Sequence, residues 1–135
     1  MALTIAGWTE AMTGNPSKAL ELLDRAQRLS PRDPRGWFMA VAVALAHLTL
    51  AQFDDAAKAA RRAVDQNPRF AQALRLLAAS LAQLGRTTDA KKALSEALTI
   101  EPQLTLSSLQ RRMLGVDEAL WGKFSQGLRT AGLVE

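Results

Sequence analysis

The sequence predicts an all-α fold: a right-handed α-solenoid of about three helical hairpins closed by C-terminal capping helices. Three observations predict it. Alanine and leucine dominate, tyrosine is absent and β-branched residues are few, a composition of strong helix formers. Pro34, Pro68 and Pro102 recur at intervals of 34 residues. Apolar residues keep the same offset, with Ala56 matching Ala90, Ala63 matching Ala97, Leu50 matching Leu84 and Ala60 matching Leu94.

The clearest unit is "QNPRFAQALRLLAASLAQLGRTTDAKKALSEALTIEP". Asn67 is placed to cap its first helix, with Pro68 in the first turn, where no amide hydrogen is needed. Leu74, Leu77, Leu81 and Leu84 recur at helical spacing. Gly85 permits a left-handed turn. Ala90, Leu94 and Ala97 carry the apolar face of the second helix, and Pro102 ends it. One unit earlier Ala51 replaces the turn glycine, and Ala40, Val43, His47 and Leu50 follow the inner face. In the first, shorter unit Gly14, Ala19, Leu23 and Ala26 take the places of Gly85, Ala90, Leu94 and Ala97. The register then gains three residues within "PRDPRG", a longer connection between units. The expected units are residues 2–33, 34–67 and 68–102 of a single domain spanning 1–135, with a capping segment at 103–135.

In that last segment Thr105 or Ser107 is placed to cap a helix through Leu109 and Met113. "LGVD" breaks it, and Asp117 caps a final helix carrying Leu120, Trp121, Phe124 and Leu128, which ends near Gly132. Repeat stacks need such a seal because each unit buries its faces only against its neighbours.

The period and the small and bulky positions resemble the tetratricopeptide repeat family over roughly residues 2–102. Leu74, Leu77, Ala78 and Leu81 stand at the family's first-helix positions, as do Ala40, Val43, Ala44 and His47, and Leu3, Ala6, Gly7 and Glu10. The aromatic position never holds tyrosine. The tail "LTLSSLQRRMLGVDEALWGKFSQGLRTAGLVE" is similar to the end of bacterial signalling proteins in which such repeats follow an adenylate or guanylate cyclase domain or a winged-helix domain. That likeness implies a repeat region of a larger protein, with any cyclase chemistry outside this chain.

The family resemblance also implies that first helices line a concave face. Ile5, Trp8 and Met12, then Phe38, Val41, Leu45 and Thr49, then Gln72, Arg75 and Gln83 would lie there, apolar at one end and polar at the other. Such a surface suits a peptide or partner helix, with Trp8 and Phe38 as anchors. The same residues also suit packing within the chain, or a homodimer through the apolar N-terminal region.

Other functions find little support. No cysteine is present, which removes thiol nucleophiles and thiolate metal sites, and His47 is the single histidine. No catalytic, metal or cofactor site is therefore expected. A net charge of +4 is mild, and Asp54, Asp55, Asp65 and Asp89 dilute the Lys58, Arg61, Arg62, Lys91 and Lys92 cluster, so nucleic acid is not an expected partner. Arg111 and Arg112 suit the wet side of a capping helix or an acidic partner. "FMAVAVALAHLTLA", at 14 residues, is too short to span a bilayer. No secretory leader is read, and a cytoplasmic location is expected.

Overall fold

The computed structural model describes residues 2–135. Its elements are α1 (Ala2–Met12), α2 (Pro16–Leu29), α3 (Gly36–Thr49), α4 (Phe53–Gln66), α5 (Ala71–Gln83), α6 (Thr87–Ile100), α7 (Leu106–Arg112) and α8 (Glu118–Ala131), with no strand among the described residues. The helices α1–α6 pair in order as three hairpins that stack side by side.

The turn inside each hairpin is one motif used repeatedly. A residue at positive φ ends the first helix: Gly14 at 91°, Ala51 at 60° and Gly85 at 81°. The next amide then reaches back five residues, Asn15 to the Glu10 carbonyl (2.8 Å), Gln52 to His47 (2.9 Å) and Arg86 to Leu81 (2.9 Å). This satisfies carbonyls that the helix end leaves free. Gly132 closes α8 in the same way, at φ 109°, with Leu133 donating to the Leu128 carbonyl.

The periodic prolines do a different job from the expected one. Asn67 does not cap α5: its amide closes α4 on the Ala63 carbonyl at 2.9 Å, and α5 opens only at Ala71. Pro68 sits second in a turn in which the Phe70 amide donates to the Asn67 carbonyl (3.1 Å). Pro34 and Pro102 occupy equivalent turns, closed by Gly36 to Asp33 (3.0 Å) and Leu104 to Glu101 (3.2 Å). The proline ring fixes the φ that this position needs and pushes the residue before it out of the helical region. The three extra residues after the first hairpin form one more such turn around Pro31, in which the Asp33 amide donates to the Ser30 carbonyl (3.2 Å).

Small residues set the helix spacing. A Cβ at Gly7 would stand 2.6 Å from Leu23, so α1 and α2 approach through that glycine. Ala44, Ala56, Ala60, Ala78 and Ala90 are fully buried at corresponding contacts in the next two hairpins. The helices α3 and α5 are buried almost all round, which requires apolar residues on every side.

The C-terminal helices do more than cover the last hairpin. Thr105 caps α7 in a reciprocal arrangement with Ser108, each hydroxyl accepting the other's amide at 3.0 Å. Asp117 caps α8, accepting from the Leu120 amide at 3.2 Å. From there α8 runs back along α5, contacting it nearly as extensively as α6 does, and also reaches α3.

Candidate functional site

The expected surface is the one lined by the first helices of the hairpins, and α8 lies in it. Leu120, Phe124, Leu128 and Ala131 face inward from α8 and are almost completely buried. Gly127 makes the approach possible, because a Cβ there would stand 2.5 Å from the Ala79 carbonyl oxygen on α5. Polar anchors hold the ends. The Gln83 amide donates to the Lys123 carbonyl at 2.9 Å, and the Asp117 amide donates to the Met12 carbonyl at 2.9 Å. Past α8, the Val134 and Glu135 carbonyls accept from the Leu106 and Ser107 amides, fastening the tail to the start of α7.

This divides the ten expected surface residues. Val41 and Leu45 are fully buried core residues and are not part of an open face, because α8 crosses α3 and α5. Thr49 is half-buried and its hydroxyl donates back to the Leu45 carbonyl (3.1 Å). Gln83 is committed to α8, and Gln72 is half-buried on α5. Arg75 is buried and paired with Glu101, whose other oxygen takes Arg112 at 2.8 Å. Burial lowers the Arg75 pKa, Glu101 opposes that, and the nearby Arg112 adds to it. The Arg75 Nε finds no partner among the described residues. Arg75 is therefore a bracket between α5, the end of α6 and the end of α7.

The N-terminal residues have a different fate. Ile5 is 54% exposed, while Trp8, Met12 and Phe38 are half-buried. Trp8 stacks on Phe38 with centroids 4.8 Å apart and 27° between planes, and its indole N–H donates to the Phe38 carbonyl at 3.0 Å. The row continues: Trp37 meets Phe38 edge-on at 5.9 Å and Phe70 at 4.8 Å. Trp37 thus reaches forward to the third hairpin. Phe70 carries no signal of its own in the sequence, because Asn-Pro before it also suits the first turn of a helix. Two glycines, Gly122 and Gly127, interrupt the last helix, and a close approach is one reason for a glycine there; Gly127 alone makes one.

On the opposite side, Lys58, Arg61, Arg62 and Arg86 share a cleft of about 790 Å³ with Asp54, Asp55 and Asp89. Lys58 pairs with Asp54 at 3.1 Å, so the cleft is of mixed sign. His47 borders it and is hydrogen-bonded through Nδ1 to the Gln52 side chain at 2.7 Å. No group of three or more His, Asp or Glu side chains able to hold a metal ion occurs among the described residues. No described helix is long and apolar enough to cross a membrane.

Stacked helical hairpins with a 34-residue period are the architecture of one large repeat class. Residues 41–104 match the tetratricopeptide repeat family. The tail that builds α7 and α8 lies beyond that match. Among solved structures, MamA MSR-1 C2 is similar over 93% of this chain and 75% of its own, with a TM-score of 0.62 and 20% identity. That likeness shows the fold: an α-solenoid of tetratricopeptide-like hairpins. No curated protein matches the sequence.

Proposed function

We propose that the chain is a noncatalytic protein-interaction module that takes a peptide or helix of another protein at the N-terminal end of its inner surface. The observation that carries this reading is α8 itself. The inner surface already holds an amphipathic helix by its Leu120, Phe124 and Leu128 side, so its chemistry is that of a helix receptor. Beside the start of that helix, which Met12 holds through the Asp117 amide, Trp8 and Phe38 form an aromatic pair, bordered by Ile5 and Met12. A pair ordered before binding costs little entropy when a ligand lands on it. Thr49, Gln72, Arg75 and Gln83 then serve chiefly to hold the closed part of the surface in shape.

The test is a displayed library of amphipathic helical peptides selected against the intact chain. Trp8→Ala and Phe38→Ala each weaken selected binders by about tenfold or more, as expected for anchor residues, with helical circular dichroism unchanged. Binders indifferent to both substitutions overturn the reading.

The resemblance of the tail supports a second placement. The chain would be the cytoplasmic repeat region of a larger bacterial signalling protein, with cyclase or DNA-binding chemistry outside these residues. Within this chain Phe124, Leu128 and Leu133 of that tail are buried.

A further inference from the structure

Equivalent strips of α3 and α5 carry side chains of different size. On α3 the strip is Gly36, Ala40, Val43 and His47, at helical spacing; 34 residues later, on α5, it reads Phe70, Leu74, Leu77 and Leu81. The three leucines are buried, at 6% exposure or less, whereas Val43 and His47 are half-buried. Over the smaller residues of α3 lies a cleft of about 550 Å³, walled by α2 and α4. That is a volume at which small-molecule sites are found.

The two walls differ in chemistry. Leu20 and Leu23 on α2, with Met39, Ala40 and Val43 on the floor, make one side apolar. On the other side α4 supplies Arg62 and Gln66. Gln66 lies over Gly36, where an added Cβ would stand 3.1 Å from its Oε1. Two carboxylates also line the cleft, but arginines outside the lining hold both: Arg28 takes Asp24 at 2.7 Å, and Arg35 takes Asp33 at 3.4 Å. Arg62 has no ion pair among the described residues, so it is the uncompensated charge of the cleft. A guanidinium facing an apolar wall suits a carboxylate joined to an apolar body. At the next junction the residue corresponding to Arg62 is Glu96, so the charge reverses where leucines fill the floor.

We propose that this cleft binds a small molecule with an apolar body and one carboxylate, the body against Leu20, Leu23, Met39 and Val43 and the carboxylate on Arg62. The site lies between the first and second hairpins. It shares no residue with the peptide site at Trp8 and Phe38, so either can fail without the other.

The probe is octanoate, titrated by calorimetry into the intact chain. It should saturate with a Kd of about 1 mM or tighter, the range for a ligand of this size. Octylammonium, with the same chain and the opposite charge, should bind about tenfold more weakly. Arg62→Gln should weaken octanoate by about tenfold, as loss of a charged hydrogen-bond donor does. Arg61→Gln is the control, because Arg61 lines the furrow over α5 with Leu77 and Lys92, and it should leave octanoate affinity unchanged. Val43→Leu combined with His47→Leu copies the floor of α5 and should abolish binding with helicity unchanged. Four outcomes overturn the proposal: octanoate that does not saturate by about 10 mM; octylammonium that binds as tightly as octanoate; equal losses from Arg62→Gln and Arg61→Gln; or undiminished binding in the leucine variant.

Discussion

The N-terminal and C-terminal ends of the inner surface are built from equivalent helix positions, yet one holds a helix and the other holds aromatic side chains. One register position accounts for much of the difference. It is occupied by Trp8 in the first hairpin, Leu45 in the second and Ala79 in the third. Where the side chain is a methyl group, α8 comes down onto the α5 backbone through Gly127. Where it is an indole, the space is filled by the Trp8–Phe38 stack. The repeat therefore fixes the backbone of the surface, and side-chain volume decides what each end can receive.

The sharpest way to break this arrangement is at Gly127. Replacing a glycine in an exposed helix interior by alanine stabilises by roughly 1 kcal/mol. At Gly127 the added Cβ would meet the Ala79 carbonyl oxygen at 2.5 Å and its Cα at 2.8 Å, neither of which can swing aside. Gly127→Ala should therefore destabilise, by about 3 kcal/mol, as overpacking against backbone does. Gly122, on the same helix with nothing within 4 Å of its added Cβ, should respond to alanine with the ordinary gain. Urea midpoints of the two variants on opposite sides of the parent would establish that α8 is seated through Gly127. Two shifts of the same sign would count against it.

The next largest effect concerns the bracket at the closed end. Glu101 neutralises Arg75 and holds Arg112. Glu101→Gln leaves the Arg75 guanidinium buried without an anion, which should cost about 2 kcal/mol; the quarter-exposed position of Glu101 keeps this below the loss from a fully buried pair. Changing Arg75 to Met as well removes the stranded charge, and most of the loss should return. The measurement is a double-mutant cycle in urea. Additive losses would mean that the pair does not act as a unit.

How much of this was legible beforehand follows from where the signals lie. The 34-residue period, the hairpin turns at Gly14, Ala51 and Gly85, and the caps at Thr105 and Asp117 are local, and local chemistry specifies them. The register places Trp8 and Phe38 in one apolar region together with Met12, Val41 and Leu45; the stacking of the two rings on each other is not written there. Nor is the filling of the groove by α8, because it depends on which of two apolar faces a terminal helix chooses, a non-local matter. The alternatives for α8, sealing the end of the stack or lying along its inside, present the same amphipathic pattern. Gly127 favours the inner path, but Gly122 on the same helix has open space around it, so a helix-interior glycine does not decide the matter from sequence. The proline turns are hard to read for a simpler reason: Asn-Pro suits both a helix start and a turn, and here the Phe70 amide closes the turn on the Asn67 carbonyl.

The smallest expected effect tests the middle hairpin, which stands between the open end and the closed one. Its turn residue is Ala51, at φ 60°, where the flanking hairpins have Gly14 and Gly85. An L side chain in the left-handed region costs roughly 1–2 kcal/mol, and glycine avoids that cost but loses more backbone entropy on folding. The balance favours glycine by about 1 kcal/mol, which for a chain of this size raises the thermal midpoint by about 4 °C. Because Ala51 is exposed and outside the inner surface, Ala51→Gly should raise stability without altering the mass in solution or the peptides selected. A gain confined to the midpoint would show that the turns set hairpin stability while Trp8, Leu45 and Ala79 set occupancy. A change in peptide selection would mean that the turn geometry tilts α3 and helps decide how far α8 reaches.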